Sequence, residues 1–211
     1  MDFIDLDGNY QAAVLAGANA DLDGDDLPEG EAFWGSIRLT VIQLECPIPF
    51  TEAIGLKSKN YGIPILLNAA PAIPFPDSWW DWVDILVVNE LEAETLSKKK
   101  IDDFEDARRS MEILLDRCQN TVITLGEKGL LIGEGSQMKH IPAHTVSTVS
   151  TLGAGDAFVG VMATELCQGA DLEKSAQIAN YAAAASVTRS GAQTSYLTLE
   201  ILLEHPVLGE S

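Results

Sequence analysis

The stretch STLGAGDAF, residues 150–158, places two glycines and an aspartate where a polar segment turns into an apolar-periodic one. The first N–H groups of a helix have no intrahelical acceptor. Together they carry about half an elementary charge, which suits an anion such as a phosphate. A carboxylate in the same turn, here Asp156, is suited to accept the proton of a hydroxyl that attacks that phosphate. The same residues also make a tight turn that lets Phe158, Val159 and Met162 enter a core. The stretch alone leaves both readings open.

Two further segments sit where ligands bind in open α/β sheets, directly after an apolar run. Asn89, Glu90 and Glu92 stand at the carboxyl end of DILVVNE (84–90), and Thr124 to Gly129, TLGEKG, at that of NTVITLG (120–126). A helix start with acidic residues in its first turn explains the first segment equally well. Other candidates read more simply. DLDGDD (21–26) has the alternating aspartates of a calcium loop, but Asp26 stands where that loop needs glycine and Ala32 where it needs a bidentate glutamate, so an acidic turn is expected. His140, His144 and His205 have no metal-ligand spacing, and Lys98 to Lys100 suit the end of a helix.

The elements that must position these residues alternate. RLTVIQLE (38–45), IPILLNA (63–69), DILVVNE (84–90) and NTVITLG (120–126) predict buried strands. Between them FTEAIGLKSKNYG (50–62), a Trp-rich segment (78–82) and DDFEDARRSMEILLDRC (102–118) supply helical pieces. This pattern predicts a parallel sheet covered by helices. KGLLIGEGSQMKHI (128–141) predicts a hairpin, 154–168 and 171–189 predict helices, and TLEILLEH (198–205) a short amphipathic piece. No linker or repeat divides the chain, so one domain over 1–211 is expected.

Composition narrows the partners. Of 211 residues 46% are hydrophobic, enough for one sizeable core. A net charge of −19 repels nucleic acid and anionic lipid, so neither is expected as a partner. Such a chain must meet a nucleotide phosphate with backbone N–H groups rather than with its overall field. Cys46, Cys118 and Cys167 form no C-x-x-C pair, which points to a reducing, cytoplasmic setting.

Taken in order and spacing, NELE (89–92), TLGEKG (124–129), GAGD (153–156) and AQIANYAAAASVTRSGAQTS (176–195) resemble the ribokinase-type carbohydrate kinases, from about residue 10 to the end. AGANADL (16–22), QLE (43–45) and NAAPA (68–72) resemble the ribokinase branch more than the adenosine or fructose-phosphate branches. The resemblance implies a ribokinase-like α/β fold and ATP-dependent phosphorylation of a sugar hydroxyl, ribose to ribose 5-phosphate. It implies an anion hole at Ala154 and Gly155, with Asp156 as general base and sugar contact and Gly153 among the catalytic residues. Asn89, Thr124, Gly126, Lys128, Gly129 and Asn180 match positions around the nucleotide, Glu45 matches a sugar-site residue, and Glu92 one that organises magnesium.

A monovalent cation site, for potassium, is implied at Ser150, Leu152, Ser186, Arg189, Gly191 and Ser195. The family pattern D-T-x-G-A-G-D has aspartate where this chain has Ser150, so weak potassium activation is expected. The family's opening segment, with sugar contacts, the first sheet strands and the lid strands, has no counterpart here. The fold is therefore expected to be shortened at its N-terminus, with an uncovered sheet edge that favours self-association and with impaired turnover of ribose. A nucleotide-binding remnant without catalysis is the rival reading. A dehydrogenase lacks its G-x-G-x-x-G after the first strand.

Overall fold

The computed structural model describes residues 2–4, 10–12 and 16–198. The predicted amphipathic piece 198–205 and His205 therefore lie, beyond residue 198, outside the described residues. Two short strands, β1 (Asp2–Ile4) and β2 (Tyr10–Ala12), pair antiparallel as a separate ribbon. The sequence reading placed no strands there. A one-turn helix, α1 (Glu31–Trp34), follows.

The main sheet has six strands in the order β3-β4-β5-β6-β7-β8. These are β3 (Thr40–Ile42), β4 (Ile65–Asn68), β5 (Ile85–Asn89), β6 (Asn120–Thr124), β7 (Leu130–Glu134) and β8 (Gln137–Ile141). β3 to β6 run parallel and β6-β7-β8 antiparallel, as the alternating pattern and the predicted hairpin require. The Trp-rich segment is a single 3₁₀ turn, Asp77–Asp81, rather than an α-helix. Helices α2 (Ile48–Asn60), α3 (Glu90–Ser97), α4 (Phe104–Leu115), α5 (Ala154–Cys167) and α6 (Leu172–Ser186) complete the fold.

Successive strand residues point to opposite faces, and here both faces are covered, so the strands are apolar throughout. Ile65, Leu67, Leu86, Val88, Ile123 and Leu131 pack with Ala107, Met111 and Leu114 of α4 and with Trp79 and Trp82. Leu66, Val87, Val122, Leu130 and Ile132 face the other way, against Phe158, Val159 and Met162 of α5 and Ala176 and Ala179 of α6. The small residues of α6 let it lie close to α5. The sheet thus holds the start of α5 near the carboxyl ends of β3 and β4. Among the described residues nothing pairs with the outer side of β3, and Val41 is 44% exposed there. That is the uncovered edge expected from the sequence.

Candidate functional site

The turn before α5 depends on Gly153, whose φ of +77° lies in the left-handed region. A Cβ at this position would come within 2.7 Å of the Tyr196 Oη. Gly155 differs. It is exposed, its φ is ordinary, and a Cβ there would meet nothing within 4 Å. Its lack of a side chain is thus not required by packing and leaves the mouth of the helix open.

The sequence reading included Ala154 in the anion hole, but its N–H donates to the Thr151 carbonyl at 3.2 Å. The N–H groups of Gly155 and Asp156 have no acceptor among the described residues, so the aimed donors are these two. The cause is the tight turn itself, which folds Thr151 back under the first helical residue. Asp156, in the first turn, is exposed and faces the same opening.

Asp156 Oδ1 accepts from Gln43 Nε2 at 3.3 Å, and the same nitrogen donates to Asn68 Oδ1 at 3.4 Å. Asn68 Nδ2 in turn donates to the Val87 carbonyl at 3.2 Å. Gln43 follows β3 and Asn68 ends β4, so two strand ends reach the helix start. Sequence reasoning quoted QLE and NAAPA but assigned no role to these two amides. Glu45, the residue it chose, is exposed in the loop that follows.

Asn89 and Glu92 close on each other. The Asn89 side chain accepts from the Glu92 N–H at 2.9 Å. The Asn89 N–H and Nδ2 donate to the two Glu92 carboxylate oxygens, each at 2.8 Å. This capping box starts α3, so the helix-start reading holds in the structure. Glu92 is only 4% exposed, and burial pushes its carboxyl up while the two hydrogen bonds from Asn89 pull it down.

No group of three or more His, Cys, Asp or Glu that could hold a metal ion occurs among the described residues. A lone carboxylate fits magnesium only in the manner typical of that ion, through retained waters and with substrate phosphates as further ligands. Both Glu92 oxygens accept from Asn89 and keep further acceptor capacity for such waters.

In the loop after β6, Gly126 and Gly129 have φ of +55° and +91°. A Cβ on Gly129 would lie 2.1 Å from the Ile141 carbonyl, so this glycine is required by the approach of the β8 end. Thr124 Oγ1 donates to the Val88 carbonyl at 3.3 Å, and Lys128 pairs with Glu90 at 3.6 Å. The lysine thus leans across the strand ends toward the start of α3. Asn180 on α6 is buried and donates to the Pro142 carbonyl at 2.9 Å, which ties the chain after β8 to the helix.

The two loops assigned to a monovalent cation do come together. The N–H groups of Val149 and Ser150 both donate to the Val187 carbonyl, at 2.7 and 3.1 Å. Ser150 Oγ accepts from the Leu152 N–H at 3.3 Å. Ser186 and Ser195 turn their hydroxyls onto the Ala183 and Ala192 carbonyls. Gly191 has φ of +97°, while Arg189 is exposed.

A cavity of about 240 Å³ opens beside Asp156, lined also by Gly160, Val161, Thr164, Ala182 and Tyr196. It is smaller than the roughly 300–1,000 Å³ usual for ligand pockets. Tyr196 is raised in pKa by burial first and by the charge of Asp156 second, which keeps its hydroxyl protonated.

Among the other candidates, Asp23 and Asp26 cap a short turn by accepting from the N–H groups of Asp25 and Asp23, at 2.8 and 2.9 Å. Lys98 takes the left-handed position that ends α3, and His140 bonds the Lys128 carbonyl at 2.8 Å. No described helix is long and apolar enough to cross a membrane.

Comparison with known proteins agrees with this geometry. The pattern of the pfkB family carbohydrate kinases matches residues 3–199. Deoxyribokinase of Salmonella typhi is 34% identical over 99% of this chain and 69% of its own length. Ribokinase of Mus musculus is 35% identical over 92% of this chain, which spans 62% of that relative's length. The crystal structure of ribokinase from Thermotoga maritima superposes with a TM-score of 0.77 at 29% identity, over 97% of this chain and 68% of that one. The fold is thus the ribokinase-like α/β fold, shortened relative to those proteins, and the chain belongs to the pfkB family of carbohydrate kinases.

Proposed function

We propose that this sugar kinase transfers the γ-phosphoryl group of ATP to a hydroxyl of a pentose, with ribose as substrate and ribose 5-phosphate as product. The observation that carries the reading is the start of α5, where an exposed carboxylate and two acceptor-free N–H groups face one opening at the strand ends. Phosphoryl transfer needs positioning and charge stabilisation more than covalent help. The N–H groups of Gly155 and Asp156 bind the equatorial oxygens as charge gathers on them. Asp156 accepts the hydroxyl proton as the new O–P bond forms.

The nucleotide lies past Thr124, Gly126, Lys128 and Gly129, with Asn180 toward the base and Asn89 beside the phosphates. Magnesium, held through water by Glu92, supplies neutralisation of phosphate charge when bound. Glu45 contacts the sugar. Ser150, Leu152, Ser186, Arg189, Gly191 and Ser195 border a potassium site weakened by the missing carboxylate. The relatives named deoxyribokinase and ribokinase support a pentose, and 2-deoxyribose is the competing substrate to test.

The second reading is nucleotide binding without efficient transfer, with self-association through the open edge. It is favoured by the exposure of Val41 on β3 beside Gln43, which leaves the sugar side of the site open to water. A coupled assay of ADP release, with ribose, with 2-deoxyribose and without sugar, separates the two. Pentose-dependent release supports the kinase, whereas saturable ATP binding with sugar-independent hydrolysis supports the second reading. Light scattering on the same sample reports its size.

A further inference from the structure

We infer that Gln43 is the positioning residue of the Asp156 carboxylate, and that Asn68 is the anchor that holds Gln43 in place. This rests on the reading of Asp156 as the base. The polarity of the chain of contacts is fixed at both ends. The Val87 carbonyl can only accept, so Asn68 presents its Nδ2 there and its Oδ1 to Gln43. An ionised Asp156 can only accept as well, so Gln43 presents Nε2, whose two hydrogens serve Asn68 and Asp156. No other assignment of the two amides satisfies both contacts.

The mechanical consequence follows from burial. Asn68 is 8% exposed and its side chain is tied to β5, the neighbouring strand of a buried sheet. Asp156 stands exposed on the first turn of a helix, where its side chain has rotamers to choose from. Gln43 carries the order of the sheet to that carboxylate. The bonds at 3.3 and 3.4 Å are long for this type, so Gln43 orients the carboxylate without clamping it. Only the Oδ1 atom is held, which leaves Oδ2 to take the proton. Among the other described side chains no hydrogen bond to the Asp156 carboxylate occurs.

Gln43→Met keeps the length and removes the donor. It is expected to lower kcat by roughly 10- to 100-fold with KM for ATP unchanged, because a misplaced base costs rate and not nucleotide binding. In an Asp156→Ala background the same change is expected to add no further loss, since the group it positions is gone. Asn68→Leu is expected to act in the same direction. A second factor of similar size in the double variant overturns the proposal, because a general structural defect would multiply. Near-normal turnover of Asp156→Ala itself defeats the reading of the base, and is distinguishable from that outcome.

A measurement free of turnover completes the test. The Gln43 side-chain amide signals in a nitrogen–proton NMR spectrum are expected to move in Asp156→Ala and to stay in place in Thr164→Val, two turns further along α5. Unmoved Gln43 signals in Asp156→Ala overturn the proposal whatever the kinetics.

Discussion

Gly153 and Gly155 differ by two positions and answer to different demands, so adding one methyl group to each separates folding from function. At Gly155 the added Cβ meets no atom within 4 Å and φ is unstrained. Glycine in a helix costs roughly 0.5–1 kcal/mol relative to alanine, so Gly155→Ala is expected to stabilise the fold by up to that amount. For a chain of this size that is a rise in Tm of roughly 1–4 °C. The methyl group, however, tilts toward the N-terminus of α5, as a helical Cβ does, and so toward the side on which the proposed site would receive the phosphoryl oxygens. Loss of such a donor contact costs roughly 10²- to 10³-fold in turnover.

At Gly153 the balance reverses. Its φ of +77° costs an alanine about 1–2 kcal/mol, and the Cβ would press within 2.7 Å of the Tyr196 hydroxyl. Gly153→Ala is expected to melt roughly 2–8 °C lower. Thermal melts of the two variants with and without Mg-ATP, followed by the ADP assay, read both effects. A Gly155→Ala protein that melts well below the parent, or that keeps full turnover, would refute the reasoning that this glycine exists for a ligand.

Three further outcomes are expected. The Glu92 carboxyl is pushed up by burial, so the folded state holds its proton more tightly than the unfolded state. Its contribution to stability is then fully present at low pH and declines as pH rises from the ordinary glutamate range through the raised value. Glu92→Gln should remove this slope from a series of melts between pH 4 and 8 (about the window that glutamate titration covers), and an unchanged slope would count against the assignment. Cys118 is buried with its thiol pushed up, whereas Cys46 and Cys167 are partly exposed. Iodoacetamide should therefore label two cysteines in the native protein and Cys118 only on unfolding, as mass spectrometry of the peptides would reveal. Ser150→Asp should strengthen activation by potassium over a bulky organic cation at equal ionic strength, and no added dependence would remove the carboxylate argument.

The sheet and its covering helices were legible because buried parallel strands are unbroken apolar runs, as in IPILLNA and DILVVNE, with helical stretches between and after them. Hydrophobic period does not specify short pieces. The three-residue strands β1 and β2 went unread, and the Trp-rich run at 78–82 looked helical although it makes only a 3₁₀ turn. At the site, a position fixed by local backbone was readable, the left-handed Gly153 before α5. Of the two readings of NELE the helix start is the one observed, since the Asn89–Glu92 box caps α3 with a buried carboxylate.

Gln43 and Asn68 were not readable, because an amide at a strand end has no spacing signature and the Gln43–Asp156 contact spans 113 residues. The bond of the Ala154 N–H to the Thr151 carbonyl was not readable either, because that partner is chosen by the turn and not by residue type. Asn180 was placed by resemblance alone, and its bond to Pro142 adds a structural role on which the sequence is silent.

The central claim is that the start of α5 transfers a phosphoryl group to a pentose and that Asp156 takes the proton. The most direct measurement incubates the protein and its Asp156→Asn variant with ATP labelled in the γ-phosphate, with ribose or 2-deoxyribose, and follows the label into sugar phosphate. Label should appear in pentose phosphate with the parent protein. The variant should lower that rate by roughly 10²- to 10⁴-fold while Mg-ATP affinity, measured by calorimetry, stays nearly unchanged. Equal rates from both proteins, or ATP binding with no label transferred to either pentose, would contradict the account.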